Sequence, residues 1–195
     1  MLQKMVGKRI QEPLTAIAQT LSRHKITPNI LTLSGLIINS IGAYLYYRGY
    51  MVAGGIIILF AGLFDMLDGA VARAAGKASK LGGFLDSVVD RYSDFLIFGG
   101  VLAYFARNGD FSMTILLVVI MCGTFLISYV RARAELIIPK CSVGLMERPE
   151  RIIVLGAGSI FGFLNAALWF LAITTHITAL HRIYYTREAV KAARQ

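Results

Sequence analysis

Between Asp65 and Asp90 the chain reads D-M-L-D-G-A-V-A-R, then eight residues, then G-G-F-L-D-S-V-V-D. On a helix Asp65, Asp68, Gly69, Ala72 and Arg73 share one face, and on a second helix Gly82, Asp86 and Asp90 do the same. An ionised side chain at the centre of a membrane helix costs about 2.5–3.5 kcal/mol. Four carboxylates gathered in apolar sequence therefore call for a shared cationic ligand. Oxygen-only ligands select hard divalent cations, Mg²⁺ or Mn²⁺. The four exceed what one ion needs, which points to two ions holding a diphosphate, with Arg73 adding charge from the protein side. Gly69 and Ala72 leave room for that ligand. Ion pairing of aspartates with Arg73 and Arg91 accounts for one or two acids, not for four on facing stripes. Asp94 continues the stripe of Asp86 and Asp90 and reads as an ion-pair or helix-contact residue rather than a metal ligand.

A second group is basic. Ser128 and Arg131 share a face where one apolar run ends, Arg148 and Arg151 open the next, and Arg182 lies near the chain end. Arginines collected in one place form an anion pocket separate from a diphosphate site, which suits a phosphorylated acceptor better than a neutral polyol. The alternative is ordinary basic residues at the inner ends of membrane helices.

The elements that must position these groups are apolar helices. Of 195 residues 56% are hydrophobic and 16% charged, an integral membrane profile. Uncharged runs occupy 30–47, 49–64, 95–106, 111–130 and 152–180, and most reach spanning length once a polar end turn is included. The last is too long for one helix, and splitting it into about Met146–Phe163 and Ala166–Tyr185 gives six. Lysine and arginine then gather on one side, which places both termini in the cytoplasm. The segment Leu2–Leu21 carries an apolar stripe and reads as an amphipathic surface helix rather than a cleavable signal. Thr27-Pro28-Asn29 is a helix start. Gly76, Ser79 and Lys80 mark a turn that makes the second and third helices antiparallel neighbours. The fold class expected is all-α: a single domain, 1–195, forming a bundle of six transmembrane helices preceded by an N-terminal amphipathic interfacial helix within residues 1–25. Cys122 and Cys141 supply neither a disulfide framework nor a zinc site. The net charge of +9 suits anionic headgroups and substrates, and no soluble basic face exists for nucleic acid.

The eight residues Asp65, Asp68, Gly69, Ala72, Arg73, Gly82, Asp86 and Asp90 fit D-x2-D-G-x2-A-R-x8-G-x3-D-x3-D without a departure. That pattern resembles the signature of the CDP-alcohol phosphotransferase family. The resemblance implies that Asp65, Asp68, Asp86 and Asp90 ligate two divalent cations and that Asp90 is also the general base. It implies that a CDP-lipid, CDP-diacylglycerol or an ether-lipid equivalent, lies against Asn29, Thr32, Asp68, Gly69, Ala72, Arg73 and Gly82. An acceptor hydroxyl attacks the β-phosphorus and CMP leaves. The basic segments resemble those of the phosphatidylinositol-phosphate synthase branch, in which Ser128, Arg131, Arg151 and Arg182 would bind the phosphate of inositol phosphate. Position 131 is often lysine in that branch, and arginine keeps the charge with a different donor geometry. The resemblance further implies a homodimer in a prokaryotic cell membrane. Glycerol 3-phosphate is the rival acceptor. A divalent cation transporter is the rival from another class, although the acids concentrate on the inner half of two helices rather than lining a path across. A prenyl-diphosphate enzyme also joins metals to diphosphate but crowds its aspartates on soluble helices.

Overall fold

A computed structural model describes residues 28–74 and 79–193, with side chains from residue 30 onward apart from 66–74. The expected amphipathic helix lies outside the described residues. Six α-helices make up the architecture, with no strand among the described residues: α1 Pro28–Arg48, α2 Met51–Ala74, α3 Lys80–Arg107, α4 Phe111–Ala134, α5 Arg148–Ile160 and α6 Leu164–Ala192. Pro28 stands at the first helical position, where its missing N–H is no loss. The α1–α2 and α3–α4 turns are tight because Gly49 and Gly109 take φ of +88° and +74°. Ser79 caps α3 by accepting from the Gly82 amide at 3.0 Å, and Asp110 caps α4 by accepting from Met113 N–H at 3.0 Å.

The helices close into a ring. α1 packs on α2 and α3, α2 on α5, α5 on α6, α6 on α4, and α4 on α3. Tyr46, Ile58, Phe98, Leu117, Leu155 and Leu168 fill its centre, each fully buried. Gly100 lets α1 and α3 meet closely, since a Cβ there would run into the Ala43 backbone. Gly156 and Gly158 face Leu59 and Ala167, so the small-residue stretch of α5 serves helix packing. The outside is apolar: Leu33, Ile37, Ile41, Phe125, Trp169 and Ile173 are all exposed. The interior, though mostly apolar, also holds polar and charged side chains, including Asn39, Asp94, Arg151 and Arg182. Ile30–Arg48 and Phe111–Ala134 are long and apolar enough to cross a membrane, while Met51–Asp65 is a shorter apolar stretch.

Two sequence expectations change. Among the described residues α2 and α3 do not pack closely on each other; α1 lies against both, and α5 also lies against α2. The fifth helix is also shorter than expected, Arg148–Ile160 rather than about Met146–Phe163. Met146 is held by tertiary bonds, its N–H donating to Thr178 Oγ1 at 3.2 Å and its carbonyl accepting from Arg151 Nη1 at 3.2 Å. Gly162, at φ +76°, follows the other end. α5 is therefore about 20 Å long at 1.5 Å per residue, short of a hydrocarbon core of about 30 Å, while α6 runs from Leu164 to Ala192, past the expected Tyr185.

Candidate active site

Asp65 lies on α2, and Asp86, Asp90 and Asp94 lie on successive turns of α3. Into the space between them α5 sends Arg148. Its Nη1 donates to Asp65 Oδ2 and reaches Asp90 Oδ1 at 2.7 Å, and its Nε stands 3.5 Å from Asp94 Oδ1. Arg91 Nη2 lies 3.5 Å from the other oxygen of Asp90. Asp86 is half-buried and makes no ion pair among the described residues, yet its charge acts on Asp90 together with those of Asp65 and Asp94. Of the four carboxylates expected to gather, Asp65 and Asp90 face one another across the guanidinium of Arg148. Gly35 on α1 backs Asp65, its place for a Cβ lying 3.0 Å from Asp65 Oδ1.

This donor set fits a divalent cation in one specific sense. Carboxylates from two separate helices converge on one positively charged nitrogen, as they must to share a metal ion. Among the described residues no three acidic, histidine or cysteine side chains surround a point as a metal requires. Arg148 fills the point on which Asp65 and Asp90 converge, and the side chain of Asp68 is outside the described set. Asp68, Gly69, Ala72 and Arg73 follow Asp65 on the last turns of α2, and Asn29 lies in the first turn of α1; only their backbone is described. Thr32 is half-buried one turn further along α1. Gly82 belongs to the first turn of α3, where its amide serves the Ser79 cap.

The basic group assembles one helix turn away. Arg151 is 1% exposed and donates from Nη2 to Asp94 Oδ2 at 2.8 Å. Arg182, also buried, donates from Nε to Val143 O at 2.9 Å and from Nη1 to Ile127 O at 2.8 Å, with Nη2 3.7 Å from Glu147 Oε1. These bonds tie α6 both to α4 and to the segment 135–147. Gly144 lies in that segment at φ +122° and against Thr178, a conformation and a space that exclude a side chain. Arg131 and Arg151 both lie near enough to Arg182 for their charges to repel it, so the three arginines do collect in one region. Arg131 is only half-buried, with Nε on Glu135 at 3.1 Å, and Ser128 is half-buried one turn before it. Nε of Arg91, Arg148 and Arg151 is buried with no hydrogen-bond partner among the described residues, and so are Asp94 Oδ1, Thr124 Oγ1 and Glu150 Oε2.

A family model described as CDP-alcohol phosphatidyltransferase matches residues 25–185. The chain belongs to the CDP-alcohol phosphatidyltransferase family. Members of that family are enzymes of the membrane. This phosphatidyltransferase is 37% identical over 188 residues to an archaetidylinositol phosphate synthase of Pyrococcus horikoshii, covering 95% of this chain and 97% of the relative. It is 35% identical over 196 residues to a phosphatidylinositol phosphate synthase of Mycobacteroides abscessus, covering 96% and 88%. The crystal structure of a Mycobacterium tuberculosis phosphatidylinositol phosphate synthase with CDP-DAG bound superposes with a TM-score of 0.81 at 34% identity, covering 89% of this chain and 92% of that one. The same mycobacterial enzyme has been seen in complex with manganese and citrate, again at a TM-score of 0.81. A divalent metal ion is thus seen bound to a structural relative, and membership in a transferase family disposes of the transporter reading.

Sequence reasoning missed Arg148 and the double role of Asp94. The signal was present: Arg148 and Arg151 are three apart at the start of a helix and so share a face. Nothing in the spacing said that this face would be turned into the acidic cluster of α3. Asp94 is an ion-pair residue, one of the two readings expected, and its partners are two arginines of α5.

Proposed function

We propose that this enzyme transfers the phosphatidyl group of CDP-diacylglycerol, or its ether-lipid equivalent, to a phosphorylated polyol, inositol phosphate, and releases CMP. The observation that carries the proposal is the pairing of two sites through one residue. Asp94 touches Arg148, which sits among the acids, and Arg151, which sits among the arginines. A diphosphate site and a second anion site side by side are what an activated lipid and a phosphorylated acceptor require.

Asp65, Asp68, Asp86 and Asp90 would hold two divalent cations, Mg²⁺ or Mn²⁺. When bound, such ions neutralise the diphosphate and stabilise the charge on departing CMP. The remaining work belongs to the chain. Asn29 and Thr32 at the start of α1 contact the cytidine, and Gly69, Ala72 and Gly82 keep the approach to the backbone open. Arg73 adds a donor to the phosphates. Ser128, Arg131, Arg151 and Arg182 bind the acceptor phosphate and so fix its hydroxyl in line with the β-phosphorus. Asp90 takes the hydroxyl proton as the new oxygen–phosphorus bond forms and the bond to CMP breaks. A positioned carboxylate suits this step because an alcohol is too weak an acid to ionise unaided near neutral pH.

The apolar exterior and the segregation of lysine and arginine support six membrane crossings, with both termini and the site facing the cytoplasm of a prokaryotic cell. On this reading the short α5 is the fifth crossing, and exposed Phe161 and Phe163 suit a turn at the outer interface. The family resemblance supports a homodimer. The testing experiment is a release assay on purified protein with CDP-diacylglycerol and Mg²⁺ or Mn²⁺, offering inositol phosphate, glycerol 3-phosphate, serine and free inositol in turn. Release of CMP with inositol phosphate well above the others supports the reading. Preference for glycerol 3-phosphate identifies a phosphatidylglycerophosphate synthase instead.

A further inference from the structure

Arg148 is only 13% exposed in its side chain and lies between aspartates of two helices. Arginine in a buried site among carboxylates has a plain electrostatic function, to cancel their repulsion. Here the aspartates it cancels include two, Asp65 and Asp90, expected to bind metal ions. Arg148 Nη1 stands at the point on which Asp65 Oδ2 and Asp90 Oδ1 converge, and a metal ion bridging those two oxygens would need that same place. We infer that Arg148 is a resident counter-ion that holds the metal-free acidic site together and competes with the divalent cation for Asp65 and Asp90. The inference rests on the metal-dependent reading above and adds a residue that sets how tightly the metal is held.

The surroundings allow the exchange. Arg151, one turn along, is locked to Asp94 Oδ2 and to the Met146 carbonyl, so α5 stays anchored when Arg148 lets go. Asp94 Oδ1, 3.5 Å from Arg148 Nε and without a hydrogen-bond partner among the described residues, offers the displaced side chain a carboxylate it keeps. Arg148 thus turns about a fixed point rather than leaving the site. Arginine cannot give up its proton in this range, so the competition is one of position and not of protonation. A population held by Arg148 lowers the apparent metal affinity by the fraction of molecules so held.

The test measures Mn²⁺ binding to the full chain in detergent micelles, from the paramagnetic resonance signal of free aqueous Mn²⁺, with no substrate present. Arg148→Gln is expected to tighten Mn²⁺ binding about tenfold or more. Arg148→Lys, a point charge without the planar fork, is expected to fall between Gln and wild type. In EDTA the Gln variant should unfold at a lower temperature than wild type, and saturating Mn²⁺ should narrow that gap. Unchanged or weaker Mn²⁺ binding in the Gln variant overturns the inference. Should that variant not fold, the Lys variant decides alone, and binding no tighter than wild type overturns it. Asp90→Asn separates the two levels of the argument. Wild-type binding that is lost in Asp90→Asn but insensitive to position 148 keeps the metal reading and removes this inference, whereas wild type that binds no Mn²⁺ removes both.

Discussion

Arg151 and Asp94 bind each other at 2.8 Å in the interior of the helix ring, with side chains 1% and 3% exposed. Because Asp94 also faces Arg148, this one pair joins the acidic half of the site to the basic half. A buried pair is strongly destabilised when one partner is removed, by about 3–5 kcal/mol, because the other is left charged and dry.

Arg151→Ala is therefore expected to lower the thermal midpoint and, in the protein that remains folded, to raise the KM for the phosphorylated acceptor far more than the KM for CDP-lipid. Steady-state kinetics with each substrate varied in turn read this out. Equal rises in both KM values would count against a separate acceptor pocket.

Asp90→Asn keeps the shape of the side chain but removes the proton acceptor, together with the negative charge of one expected metal ligand. CMP release should fall by about 10²–10⁴-fold, the usual worth of a general base. Binding of radiolabelled CDP-lipid should persist more than turnover does. Turnover near the wild-type rate would remove Asp90 from the base role.

Arg182 clamps two backbone carbonyls, Val143 and Ile127. Arg182→Ala should raise the acceptor KM and expose the segment 135–147 to limited proteolysis. A digestion pattern identical to wild type would show that the clamp does not hold that segment.

Gly99 and Gly100 are adjacent on α3 but differ in surroundings. A Cβ on Gly100 meets the Ala43 backbone, whereas one on Gly99 meets nothing within 4 Å. Gly100→Ala is expected to destabilise by about 1–3 kcal/mol as α1 and α3 are pushed apart. Gly99→Ala should be neutral or stabilising by up to about 1 kcal/mol, because alanine is the better helix former. Thermal melts in detergent distinguish the two.

Much of this was legible in the sequence because helix periodicity is local. The faces of Asp65 to Arg73 and of Gly82 to Asp90 follow from spacing alone. Arg151 and Arg182 could be grouped as basic residues at helix ends, and the structure does bring them near Arg131. What spacing could not give was which helices touch. Among the described residues α2 packs on α1 and α5, and it is α5 that brings Arg148 between the acids of α2 and α3. The late start of α5 was hidden for a similar reason, since Met146 is held by Thr178, which lies 32 residues away in the chain.

The central claim is that acids of α2 and α3 together hold divalent cations against the diphosphate of a nucleotide-activated lipid. Anomalous diffraction from crystals grown with Mn²⁺ and CDP-diacylglycerol tests it most directly. The account predicts manganese peaks bounded by the carboxylates of Asp65, Asp68, Asp86 and Asp90 and in contact with the diphosphate. Manganese bound elsewhere, with lipid present and those carboxylates free of metal, would contradict it.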